Sequence, residues 1–149
     1  MKEKEKQDKF SSFNKIEKRR YYEFLSHQIE REDGLVNNRL TWMVATQGLL
    51  FTAIALVARS NTTIPNLIET LTKWLPVTGM FLSFACFLGV LGATIAIYDL
   101  KKEWKLLSYD GGPRPFGGTI AALLGLVLRF SLPILFFTAW HIIYLELNK

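Results

Sequence analysis

At 149 residues the chain is one domain at most. Half of its residues are hydrophobic and its mean hydropathy is positive, a balance that argues against a soluble protein of this size. Net charge is +5, from 18 Lys and Arg against 13 Asp and Glu. The basic residues gather beside apolar runs, so the expected partner is an anionic lipid surface on the cytoplasmic side and not nucleic acid. The single cysteine, Cys86, lies inside an apolar run and leaves no intrachain disulfide or cysteine-based zinc cluster to build. It reads as a small buried hydrophobe.

The chain opens on a polar segment in which Lys alternates with Glu or Asp over residues 1–9. Nothing there asks for burial, and residues 1–13 are expected to be a disordered charged tail. No cleavable leader is expected, because the first 39 residues are polar and charged. A helix starts near Asn14, whose side chain can cap it while Glu17 reaches back. Over 14–39 it carries Tyr22, Leu25, Ile29 and Val36 on one stripe, which predicts a cytoplasmic amphipathic helix that packs on a neighbour or lies along the headgroups. Gly34 either bends this helix before the membrane or lies within one helix running on to Ala58.

Three runs then follow, each long enough to cross a hydrocarbon core of ~30 Å as a helix of ~20 residues. The first spans 40–58, with Arg39 and Arg59 at its ends and 19 uncharged residues between them. An outer connector, 59–74, places Ile64, Leu67, Ile68 and Leu71 at helical spacing behind Pro65, which predicts a short amphipathic helix there. Asn61-Thr62-Thr63 in it matches a glycosylation sequon, a weak three-residue pattern. Pro76 is expected to open the second span, 75–98. Residues 99–117 continue as a basic extension with Lys101, Lys102 and Lys105, then break at Asp110-Gly111-Gly112-Pro113. The third run covers 118–145, ~42 Å as a straight helix, so its first part, Gly118 to Leu126, is expected at the interface or on the bundle.

Charge bias sets an expected orientation. Ten Lys or Arg precede the first span, two lie in the first connector, four in the second, and only Lys149 follows the third span. The positive-inside rule then places the N-terminus in the cytoplasm and the C-terminus outside. Trp42, Trp74, Tyr98, Trp140 and Tyr144 stand near run ends, where amphipathic rings favour the headgroup level.

Inside the runs, polar and small residues are the candidate sites. Gln47 lies two turns past Arg39 and must find a hydrogen-bond partner, either on another helix or along a polar pathway. Arg129 either snorkels to the cytoplasmic edge or sits deep and requires a partner. Pro133, four residues on, leaves the Arg129 carbonyl without its helical N–H donor. Ala85, Gly89 and Ala93 repeat every four residues, as do Gly92 and Ala96; such faces let helices approach closely, within the chain or between copies. His141 is expected at the outer interface. Glu32, Asp33, Asn37, Asn38 and Arg39 form a polar collar where the first span begins. No paired-carboxylate, Ser–His–Asp, HExxH or phosphate-loop spacing occurs, so neither an enzyme nor a bound cofactor or metal is expected.

The stretch from Glu32 to Trp42, followed by Gln47 to Phe51, resembles a signature of small, mostly uncharacterised bacterial multi-pass membrane proteins. That signature reads E-D-x-L-x-N-x-R-x-x-W-x-x-x-x-Q-x-x-L-F where the first span begins. The resemblance implies a bacterial inner-membrane protein, with a role in defence or stress among the suspected ones, and it brings no settled activity.

The sequence thus predicts an all-α membrane protein with three transmembrane helices and an N-terminal cytoplasmic amphipathic helix. The leading expectation is a non-enzymatic inner-membrane protein that self-associates and couples its cytoplasmic helix to the bundle, with a membrane-perturbing or pore-like effector as one concrete form. The alternatives are an accessory subunit docking a larger membrane enzyme or transporter, and a small oligomeric channel or transporter using Arg129 and Gln47.

Overall fold

The computed structural model describes residues 2–59, 65–107 and 119–148. Within them the chain forms α1 (Lys2–Ser11), α2 (Lys15–Arg59), α3 (Pro65–Leu107) and α4 (Thr119–Leu147), with no strand. Three of these, α2, α3 and α4, are long and apolar enough to cross a membrane. The sequon at Asn61 and the Gly/Pro stretch from Asp110 to Gly118 lie outside the described residues.

α2 begins with a capping box. Asn14 Oδ1 accepts the backbone N–H groups of Ile16 and Glu17, each at 2.9 Å, and the Asn14 N–H donates to Glu17 Oε2 at 2.8 Å. From there α2 runs 45 residues to Arg59, ~68 Å at helical rise. The segment 14–39, expected either to bend at Gly34 or to run on into the first span as one helix, is the first part of α2 and passes through Gly34 without a break. Its buried residues, Tyr22, Leu25, Ile29, Val36, Met43 and Gln47, fall at three-, four- and seven-residue steps along one face.

α3 likewise absorbs more than one expected element. Of the outer helix predicted around Ile64 to Leu71, the part from Pro65 on is its first turns, Ile64 lying outside the described residues, and Pro76 stands inside the helix, buried, instead of opening it. Pro76 removes one backbone donor, yet the packing of α3 between two neighbours holds the helix through it. The basic extension after Tyr98 is the C-terminal end of the same helix.

The contacts fix the topology. Tyr22 faces Trp104, Val36 packs on Val90, and Gln47 meets Gly79, so α2 and α3 run antiparallel. Gly79 lies against Trp140, and Phe87 meets Phe130 edge-on at 5.5 Å, so α3 and α4 are also antiparallel. α3 is the central helix; α2 and α4 flank it and are parallel to each other, touching through Asp33–Arg129, Gln47–Trp140 and Phe51–Trp140.

α2 and α3 extend together beyond α4 at the end where α2 begins, and there α1 folds back on them. Phe10, Tyr22, Leu25 and Leu107 are buried in one cluster, with Phe13, Tyr21, Leu100, Trp104 and Leu106 around it. The expected disordered tail is therefore corrected: residues 2–11 are helical. Lys and Glu are good helix formers, but a ten-residue helix is marginal alone. Phe10, placed just past the charged repeat, supplies the buried anchor, and Lys6 pairs with Glu103 on α3. Because removing a buried Phe side chain costs ~3 kcal/mol or more, Phe10→Ala is expected to release α1. Amide hydrogen exchange should then rise over Lys2–Ser11 to free-peptide rates while α2 beyond Ile29 keeps its protection.

Candidate functional site

Three helices meet at one buried polar node. Gln47 on α2 donates from Nε2 to the Gly79 carbonyl at 3.1 Å and to Ser83 Oγ at 2.9 Å. Ser83 in turn donates to the Gly79 carbonyl of its own helix at 2.8 Å. Trp140 on α4 donates its indole N–H to Gln47 Oε1. Gln47, Ser83 and Trp140 are all fully buried. Every donor of the amide is thus used inside the chain, which is what an apolar surrounding demands of a polar group.

Close approach makes this node possible. A Cβ added at Gly79 would fall 2.6 Å from Trp140 Cδ2, well inside contact, so the indole lies directly on the α3 backbone. Phe51 stacks on its other face, centroids 4.4 Å apart and planes 5° from parallel. Trp140 is therefore a core residue, not the interfacial ring expected from its place near a run end. Trp42, Trp74 and Tyr98 do face outward, at 73%, 64% and 69% exposure.

A second polar layer lies toward the N-terminal end of α2. Arg39 donates from Nη1 to the Gly89 carbonyl at 2.8 Å, and its chain lies over Gly89, where a Cβ would meet Cδ at 3.3 Å. Cys86, half-buried, points its thiol at the Arg39 carbonyl at 3.9 Å. Arg129 on α4 pairs with Asp33 on α2 at 2.9 Å. Asp33 precedes Gln47 by 14 residues, ~21 Å along the helix, so Arg129 is directed away from the buried node and toward the polar end of the bundle.

The remaining collar residues divide. Glu32 accepts from Arg31 at 3.3 Å, whereas Asn37 and Asn38 are exposed. The small residues of α3 divide too. Ala93 is buried against Val36 and Val90, Gly89 receives Arg39, and Ala96 is half-buried, but Ala85 and Gly92 face outward. His141 is exposed. Sequence reasoning missed Gly79 and Ser83, although they too are small residues four apart, and no local signal tied them to Trp140.

Outside the apolar runs, Glu103 is a third meeting point. Its carboxylate accepts from Lys6 on α1 and from the Tyr21 hydroxyl on α2 at 2.9 Å. Burial, with the Glu103 carboxylate beside it, pushes the Tyr21 phenol up to about 12 from 10.0. Tyr21 also packs on Phe10 and Phe13, at centroid distances of 5.2 and 6.1 Å.

Chemically, these nodes tie the helices to one another. Among the described residues no three His, Cys, Asp or Glu side chains converge as metal ligands. The architecture is that of a helical bundle with three helices able to cross a membrane. Comparison with protein-family models, curated proteins and solved structures finds no match to this chain.

Two outcomes follow from the geometry. Gly79→Ala forces the Trp140 indole off α3, and overpacking of this kind costs about 1–3 kcal/mol. Thermal unfolding in mild detergent should shift down for Gly79→Ala, and far less for Gly92→Ala, whose position is open. The Tyr21 phenol binds its proton more tightly in the folded chain, so its contribution to stability is complete below about pH 10. It is lost as pH rises through about 12. A difference absorbance titration of the chain against Tyr21→Phe should therefore show the missing phenolate step near 12.

Proposed function

We propose that the chain is a non-enzymatic, self-associating multi-pass membrane protein whose helices transmit position between an N-terminal extramembrane cluster and the bundle. One observation carries the reading: α2 is unbroken from its Asn14 cap to Arg59 and is fastened at two levels. At the first level Tyr21 and Tyr22 are held by Glu103 and Trp104, and at the second Gln47 is held by Gly79, Ser83 and Trp140. A rod fastened at two levels carries a shift at one level to the other, because packed interfaces change between discrete arrangements and do not deform continuously.

Ten basic residues before the first span favour a cytoplasmic N-terminus. The signature from Glu32 to Phe51 favours a bacterial inner membrane. In this reading the cytoplasmic cluster senses or receives a partner, anionic headgroups surround the basic end of α3, and the bundle responds. A membrane-perturbing effector is its most concrete form. The channel alternative is weaker on the same geometry, since the Gln47 amide is consumed inside the chain and Arg129 is paired.

The test is induced expression in bacteria carrying a potential-sensitive dye, with the purified protein sized by light scattering in mild detergent. The expected result is an oligomer, together with depolarisation that Phe10→Ala or Gln47→Leu reduces. Unchanged potential at high expression would remove the effector form. A monomer that co-purifies with one stoichiometric partner would replace self-association with an accessory role.

A further inference from the structure

The three long helices do not turn polar at the same level. On α3 the apolar stretch runs from Trp74 to Tyr98, and the pairs Gly79–Trp140 and Phe87–Phe130 set the apolar stretch of α4 beside it. α2 is displaced: Val36 lies opposite Val90, so about 18 Å of α2, from roughly Gln28 to Arg39, stands beside apolar α3 and α4. At that level α3 turns Leu88, Leu91 and Ile95 outward, and α4 turns out Leu123, Leu124 and Leu128. A hydrocarbon core of ~30 Å measured from Trp74 along α3 ends near Thr94, level with Glu32 and Asp33. Asn37 and Asn38 then lie ~7–9 Å inside the apolar slab, on the outward side of α2.

Lipid suits one side of this cross-section and not the other. Among the described residues the exposed side-chain amides of Asn37 and Asn38 have no partner, and hydrocarbon offers none. Just below them Glu30, beside His27 at 3.8 Å, and Arg31, beside Glu32 at 3.3 Å, stay exposed and are of opposite sign, so each can also face a second copy. The same face continues upward as Gly34, Asn38, Thr41, Ala45, Gly48 and Thr52, all exposed and spaced four, three, four, three, four. That is a heptad seam of small and polar residues, the spacing by which two helices stay in register along their length. A side chain added at Gly34 or Gly48 would meet nothing, so the face is open.

We infer that this outward face of α2 is covered by the same face of a second copy, related by a two-fold axis along the helices. Across such an axis Glu30 of one copy meets Arg31 of the other and the reverse, while the Asn38 amides pair at the centre. The charge pattern is complementary to itself, and the amides hydrogen-bond each other in place of hydrocarbon. Ala85 and Gly92 on α3 stay against lipid. The inference rests on the self-association proposed above and assigns its interface.

Single cysteines in a Cys86→Ala background test it in native membranes under copper–phenanthroline oxidation. Asn38→Cys and Ala45→Cys are expected to give a disulfide-linked dimer, and Ile95→Cys and Leu124→Cys, at the level of the polar band but on the apolar side, none. Ala45→Cys keeps both amides, so its result stands even where Asn38→Cys weakens association. Light scattering of the Cys86→Ala parent separates the two readings. A monomer sinks self-association altogether, whereas an oligomer that cross-links at Ile95 or Leu124, or at neither α2 position, overturns this interface alone.

Discussion

The fold turns on the contact between the Trp140 indole and the bare backbone of Gly79. That contact brings α4 close enough for the indole N–H to reach Gln47, which is itself anchored on the Gly79 carbonyl and Ser83 of α3. Apolar packing between helices gains little in lipid, because the tails are as apolar as the side chains they replace. Polar bonds and close backbone approach must therefore fix the arrangement, and here both occur at one point. Phe51 closes the node from outside, so the three helices are referenced to one level of the bundle.

From that level the two halves of the molecule differ in kind. Toward the N-terminal end, α2 and α3 outrun α4 and acquire an aqueous-type core of Phe10, Tyr22, Leu25 and Leu107, with the Glu103 carboxylate gathering a lysine and a phenol. Between this cluster and the buried node lies the layer of Arg39, Asp33 and Arg129. Each charge there finds a carbonyl or an opposite charge. The chain thus moves from packing governed by water to packing governed by hydrocarbon along two continuous helices.

Much of this was legible in the residues. Three long apolar helices follow directly from run length, and the Asn14–Glu17 spacing marks where α2 starts. What local sequence withheld was decided by distant partners. Residues 2–11 read as a solvated tail because their single anchor, Phe10, has value only once Leu107 and Tyr22 are beside it. Trp140 read as an interfacial ring because an indole suits both a headgroup boundary and a buried bond, and only Gly79 and Gln47 choose between them. Pro76 read as a helix start, yet burial between neighbours keeps it inside α3. The lone amide of Gln47 announces that some polar partner must exist without naming it.

The placement of Trp140 also bears on assembly. α2 and α3 precede α4 in the chain, and taken without it they leave a vacant notch over Gly79 and an amide oxygen on Gln47 with no donor from α4. Among the described helices, α4 carries the ring that fills both. Without α4 the other two helices therefore present an unfinished surface, and the docking of α4 is itself the event that locks them together.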